Sequence, residues 1–166
     1  MQLTTTQLQV LRADILADPF MSTLPNNGDG HIAIAALYNI TAAPAFTVWR
    51  TAASVDEIMN NGFVWTAVDG LTAGKARIWQ WMAQLGTINP SKLNIRQGLK
   101  DAFGIGTPMA LGIEPHLKRL ASRVERLFAT GPGDGTDANP GTMAAGAVGF
   151  VEGALDAATV AAAMVN

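Results

Sequence analysis

The stretch Asn89-Pro90-Ser91-Lys92-Leu93-Asn94-Ile95-Arg96-Gln97-Gly98-Leu99-Lys100-Asp101-Ala102-Phe103-Gly104, followed after a Gly-rich break by Pro108 through Thr130, is where the fold turns and where positive charge collects. In its first half Ile95, Leu99 and Phe103 recur at helical spacing and face inward, while Lys92, Arg96 and Lys100 share a separate face at i, i+4 and i+8. Gly104 closes that helix, since glycine accepts a left-handed cap at no steric cost. In the second half Thr107 is an N-cap with Pro108 at the first helical position. Leu117, Leu120, Val124, Leu127 and Phe128 then make an apolar stripe with Arg119, Arg123 and Arg126 beside it. Pro115 lies too deep to sit in the first turn, so the segment kinks or restarts near Glu114-Pro115. Amphipathic helices of this kind predict a mainly α protein built as a small helical bundle.

Working outward, Thr4 with Gln7 forms a capping box ahead of Leu8, Leu11 and Ile15, and Asp18-Pro19 ends the helix they begin. Asp29 can cap a second helix, with Asn39 as its stop. Residues 43–51 are ambiguous between a strand and a helix entered at Pro44; helix is favoured. Ser54 with Glu57 starts a short helix ending at Asn61-Gly62, and Phe63-Val64-Trp65-Thr66 suits a small strand. From Thr72 a helix carries Ile78, Met82 and Leu85 along one side, plus Trp79 and Trp81, and stops at Gly86. The predicted helices are thus 4–17, 29–39, 54–60, 72–85, 91–103, 108–129 and 156–164, with at most a minor sheet from 63–66 and 147–151.

Residues 131–141, rich in Gly, Pro and Asp, read as a flexible linker between a helical body over 1–130 and a C-terminal docking segment over 142–166. That segment combines a short strand with a helix, a strand-helix extension. Val148, Phe150 and Val151 give it strand character; Asp156 caps the last helix, with Leu155 and Val160 as a hydrophobic staple. So small a unit is stable only when docked on the main body or on another subunit.

The 166 residues suit one domain. Only 14% of them are charged, against about 25% in typical proteins. A surface so poor in charge suits a subunit covered by neighbours. With no cysteine, disulfides, thiolate metal sites and cysteine nucleophiles are excluded. No apolar run reaches the roughly 18 residues of a membrane span, and Met1 through Thr6 begins no signal peptide, so a cytoplasmic setting is expected. Net charge is −2 but polarised: residues 92–126 hold seven basic and three acidic side chains, and residues 127–166 four acidic and no basic ones. The acidic tail can meet the basic helices of a neighbouring copy, or fold over those of its own chain.

Residue types for chemistry are sparse. His31 and His116 stand in no metal-ligand spacing and read as ordinary helical residues. Gly131-Pro132-Gly133 lacks the lysine of a phosphate loop, and Asp134, Asp137 and Asn139 lack calcium-loop spacing. Trp49, Trp65, Trp79 and Trp81 suit a core better than a stacking platform. No catalytic residue, no metal and no cofactor is expected. The basic faces admit three readings: a solvated face, a DNA-facing surface, or a dock for an acidic protein.

The series Pro44-Ala45-Phe46-Thr47-Val48-Trp49-Arg50-Thr51, Asp56-Glu57-Ile58-Met59, Gly62-Phe63-Val64-Trp65-Thr66, Asn89-Pro90-Ser91-Lys92, Ile95-Arg96-Gln97-Gly98 and Ala121 through Gly131 resembles virion structural proteins of tailed bacteriophages and prophages, most like the neck proteins that join head to tail. The resemblance implies an adaptor without enzymatic activity, a homo-oligomeric ring that binds the portal, meets a tail or nozzle protein, and lets packaged DNA through its channel without sequence specificity. It would be assembled in the host cytoplasm and reside in the virion neck, away from membranes. Another neck or tail protein, such as a tail terminator, is the nearest alternative, and a small helical DNA-binding regulator is the alternative of another class. Under the adaptor reading Arg119, Arg123, Arg126, Lys92, Arg96 and Lys100 are candidates for contact with protein or DNA.

Overall fold

Helix α1 (Thr5–Ala17) starts where its first free N–H groups find side-chain partners. The Gln7 N–H donates to Thr4 Oγ1 at 3.3 Å, and the Thr4 N–H donates back to Gln7 Oε1 at 2.8 Å. The helix stops at Asp18, which is extended ahead of Pro19. Asp18 then accepts the N–H groups of Phe20 and Met21, both at 2.9 Å, and so opens the tight turn Met21–Thr23. The computed structural model containing these elements describes residues 2–104, 112–133, 142–143 and 153–165. The chain is mainly helical with a few short strands. It divides into two compact units, one made of Met1–Thr47 with Leu120–Asn166, the other of Val48–Arg119.

In the terminal unit, α2 (Gly28–Asn39) is capped by Asn27, whose side chain accepts the Gly30 N–H at 3.0 Å. Asp29, expected as the cap, lies instead in the first turn, where its charge complements the helix dipole. Two further helices belong to this unit, α7 (Arg123–Phe128) and α8 (Ala157–Val165). Helix α8 packs on both α1 and α2, and α7 packs on α2. Leu11, Ile15, Ile34, Tyr38, Val124 and Val160 are buried. Asp156 caps α8 by accepting the Thr159 N–H at 2.7 Å, and the staple residues Leu155 and Val160 are both buried. Asn39 does more than end α2. Its amide donates to the Leu155 carbonyl at 2.9 Å and accepts the Leu155 N–H at 2.7 Å, which ties the chain entering α8 to the end of α2.

The central unit holds α3 (Val55–Asn60), α4 (Thr66–Asp69), α5 (Ala73–Gln84) and α6 (Leu93–Phe103). Strands β2 (Ala53–Ser54) and β3 (Thr87–Ile88) pair antiparallel, with Ala53 opposite Ile88. The core gathers Val55, Ile58, Phe63, Trp79, Leu99 and Leu117. Phe63 stacks on Trp79 with ring centroids 5.3 Å apart, and Phe103 meets both rings edge-on. Helix α6 approaches α5 closely at Gly98, where any added Cβ would collide with the terminal methyl of Met82. Only glycine fits that crossing without a shift of Met82.

Three further sequence expectations need correction. The rod expected over 108–129 is not one helix; residues 105–111 lie outside the described part, and beyond them the chain forms a 3-10 turn (Glu114–Leu117), an extended segment and a new helix. Pro115 removes a helical donor, and Ser122 with Glu125 forms a second reciprocal capping box that restarts the chain. Residues 43–51 are not helical: β1 (Thr47–Trp49) pairs with β4 (Lys118–Leu120), as the β-branched and aromatic run Thr47-Val48-Trp49 allows. The strand expected at 63–66 is absent, because Phe63 turns into the aromatic core and Thr66 begins α4. On the helix that carries Ile78, Met82 and Leu85 along one side, Leu85 is 64% exposed while Trp79 is buried. The strand expected over 147–151 lies outside the described residues. A short ladder not foreseen pairs β5 (Ala129–Thr130) antiparallel with β6 (Thr142–Met143).

Two tryptophans on one helix provide a test of the packing. Trp79→Ala should cost about 3–5 kcal/mol, because it empties a buried aromatic cluster, whereas Trp81→Ala, on the solvent side, should change stability by no more than about 0.5 kcal/mol. Urea unfolding of both variants measures the difference, and equal losses would contradict this core.

Candidate functional site

The six basic residues expected to form interaction faces are distributed over different elements and do different work. Arg119 lies half-buried on β4, whereas Arg123 and Arg126 stand on α7, so no single helix presents all three. The i, i+4, i+7 spacing required a helix that Pro115 and Ser122 interrupt.

Arg123 is committed inside the terminal unit. Its Nη2 donates to Asp18 Oδ2 at 2.9 Å and reaches Asp14 Oδ2 at 3.5 Å, and its guanidinium lies over the Tyr38 ring, 5.0 Å from the centroid. The Tyr38 hydroxyl donates to the same Asp14 oxygen at 2.6 Å. Burial first, and then this bond, push the Tyr38 phenol far above its ordinary pKa and keep it a proton donor. Burial works against the Arg123 charge, but the Asp18 hydrogen bond and the neighbouring Tyr38 and Asp14 outweigh it, and the guanidinium is held charged more firmly than usual.

Arg126 has a different setting. Its Nη1 donates to the Pro44 carbonyl at 3.1 Å, and its guanidinium stands 5.9 Å from the Phe46 ring centroid. Phe46 is fixed in turn by Gly133, at φ +46°, whose backbone comes so near the ring that a Cβ there would collide with it. Arg123 and Arg126 both line a cleft of about 610 Å³ whose other walls include Ile40, Thr41, Ala43 and Leu127.

In the central unit Arg96 folds back on the loop before α6, with Nη1 donating to the carbonyls of Pro90 at 2.6 Å and Ser91 at 2.9 Å. Its guanidinium lies 4.9 Å from the centre of the Trp49 ring, and burial lowers its pKa. Lys118, which the sequence reading passed over, also lies by Trp49 at 5.3 Å and pairs with Glu114 at 2.9 Å. Lys92 and Lys100 are exposed, the latter in the last turn of α6 where it complements the helix dipole. Of the proposed docking residues, Leu155 and Val160 are buried within the terminal unit. Val148, Phe150 and Val151 lie outside the described residues.

His116 contacts the Asn61 carbonyl through Nε2 at 2.7 Å, which requires that nitrogen to be the donor. Among the described residues no three His, Cys, Asp or Glu side chains gather as a metal site, and no helix is long and apolar enough to cross a membrane. Comparison with protein-family models, with curated proteins and with solved structures finds no match for the chain.

The Asp18 carboxyl is held below its ordinary value of 3.8, first by the Met21 N–H and then by Arg123. A carboxyl whose folded pKa is depressed stabilises the fold above its unfolded pKa, and the contribution is lost as pH falls through the folded value. The melting temperature should therefore decline on acidification below about pH 4. Asp18→Asn, which keeps an oxygen for the Phe20 and Met21 N–H groups but loses the charge facing Arg123, should melt lower at neutral pH and lose less on acidification. Circular dichroism melts across that range check this; parallel losses in both proteins would remove Asp18 from the role.

Proposed function

We propose that the chain is a structural subunit of a tailed-bacteriophage neck, an adaptor assembling as a ring that joins portal to tail and extends the DNA channel. The resemblance of the segments from Pro44 to Gly131 supports the placement in a neck. The observation that carries the assembly itself is apolar surface left uncovered on a chain poor in charge. In the central unit Trp65, Trp81, Leu85 and Leu93 are each more than half exposed. In the terminal unit Phe20, Ile32 and Ile40 are exposed to a similar degree. Large apolar side chains, tryptophan above all, are the usual anchors of protein interfaces.

Charge adds a preferred orientation. Residues 48–119 hold eight basic and five acidic side chains, and the remainder three basic and eight acidic, so the two units carry opposite net charge, +3 and −5. Copies with that polarity attract when unlike units face each other. The internal pairing of Arg123 takes it out of the set available to a portal or a neighbour, leaving Arg126, Lys92 and Lys100 as the more accessible cations of the original six.

Native mass spectrometry and electron microscopy of the purified chain, alone and with the portal protein of the same phage or prophage, test the proposal. Rings should appear on the portal, and Trp81→Ala combined with Leu85→Ala should reduce their yield while leaving the subunit folded. A chain that remains monomeric beside its portal and instead binds duplex DNA, with log K falling against log salt at a slope of about −2.7 for three phosphate contacts, would replace the neck reading with the regulator reading.

A further inference from the structure

We infer that the cleft between residues 40–44 and α7 is a carboxylate-recognition site that takes an acidic peptide, with Arg126 as its anchor. Such a site would act in the same way whatever assembly the chain belongs to. Its volume of about 610 Å³ suits a side chain with its flanking backbone, and lies within the range of roughly 300–1,000 Å³ found for small-ligand sites.

Two cations among the described residues line the cleft, and their settings differ. Arg123 is matched by Asp14 and Asp18. Arg126 has no carboxylate within 4.0 Å among the described residues; it gives one N–H to the Pro44 carbonyl and leans toward Phe46. A guanidinium carries five N–H groups, so the rest of its fork is left for an incoming oxygen pair.

The walls are already held in place. The Arg123 N–H donates to the Ile40 carbonyl at 2.9 Å, the Ala42 N–H to the Ala121 carbonyl at 2.9 Å, and the Ala121 N–H to the Phe46 carbonyl at 2.7 Å. These bonds fasten residues 40–46 to the start of α7, and Pro44 in turn braces Arg126. Binding therefore need not order the loop first, which is a principal cost at unformed sites.

The chemistry of the lining selects among anions. Arg126, without a carboxylate partner among the described residues, suits one negative charge, and Asp14, which lines the same cleft, opposes a doubly charged phosphate. Ile40, Ala43 and Leu127 offer apolar surface for the methylenes of a glutamate or for the residue before a chain terminus. Both sources present the same carboxylate.

The test uses the full chain labelled with nitrogen-15 and follows backbone amide shifts at neutral pH. Four probes are added separately: a blocked tripeptide with a central glutamate, its glutamine counterpart, an N-acetylated trialanine with a free C-terminal carboxylate, and inorganic phosphate. The glutamate peptide should shift the amides of Thr41, Ala43, Arg126 and Leu127 and bind about tenfold or more tightly than the glutamine peptide. Shifts of those amides by the trialanine instead would also support the site and assign it to a chain terminus. Arg126→Gln should weaken the carboxylate probe about tenfold, and Ala43→Phe, which fills the cleft and removes no charge, should do the same. The inference is overturned if neither carboxylate probe binds, if the glutamate peptide binds no better than its glutamine counterpart and the trialanine does not bind either, if phosphate binds more tightly than both carboxylates, or if Ala43→Phe leaves binding intact.

Discussion

Asp14 and Asp18 set the constraint on which the terminal unit depends. They stand four residues apart at the C-terminal end of α1, where like charges repel and the helix dipole already disfavours negative charge. Nothing basic lies in that last turn. The compensation comes from 105 residues further along the chain, where Arg123 reaches both carboxylates and Tyr38 donates its hydroxyl to Asp14. A locally unfavourable pair at the end of one helix thus fixes the place of α7, and Tyr38 brings α2 into the same contact. Truncating Arg123 would leave two carboxylates and a dipole end without a cation, a larger loss than the removal of an exposed ion pair.

Much of the helical framework could be read from local chemistry. The box at Thr4, the cap at Ser54, the helix start at Thr72, the glycine stop at Gly104 and the staple of Leu155 with Val160 are each short-range signals, and each marks a helix end in the structure. The failures share one cause. Leu117, Val124 and Phe128 are buried as a helical stripe requires, but Leu117 belongs to a 3-10 turn and the other two to α7, and Leu120 between them is 51% exposed. Burial across a turn, a strand and a helix happened to reproduce a helical period. The signal that breaks the false rod was present in Ser122 and Glu125, whose box is as clear as the one at Thr4. Strand β1 was harder to see, because its pairing partner lies about 70 residues away and three residues show no period.

The candidate sites were legible as residue types and not as partnerships. Spacing placed Arg96 and Arg123 on basic faces, yet one folds onto the carbonyls of Pro90 and Ser91 and the other onto α1. Periodicity reports where a side chain leaves its own element; it carries no information on which distant carboxylate or carbonyl arrives to meet it. The pair Asp14 and Asp18, without a local cation, was the available hint that an arginine from elsewhere was needed. Spacing alone does not distinguish Arg126 from Arg123; among the described residues the fold supplies acids to Arg123, and a carbonyl and a ring to Arg126.

This difference bears on how copies of the chain would hold together under the assembly reading. An exposed ion pair contributes about 0–1 kcal/mol, while covering a side chain such as Leu85 contributes about 1.5–3 kcal/mol. With Arg96 and Arg123 satisfied within their own units, exposed cations such as Lys92 and Lys100 can steer an approach but supply little of the affinity. The affinity must then come from apolar surface, and α5 shows how the chain separates core from contact. Trp79 goes inward to Phe63 and Phe103, while Trp81 and Leu85, four residues apart beyond it, remain outside as a strip the core does not use. Opposite charge on the two units would then choose which face of a neighbour that strip meets, and Arg96 and Arg123, two of the arginines that first suggested an interface, would serve to keep each subunit in the shape that presents it.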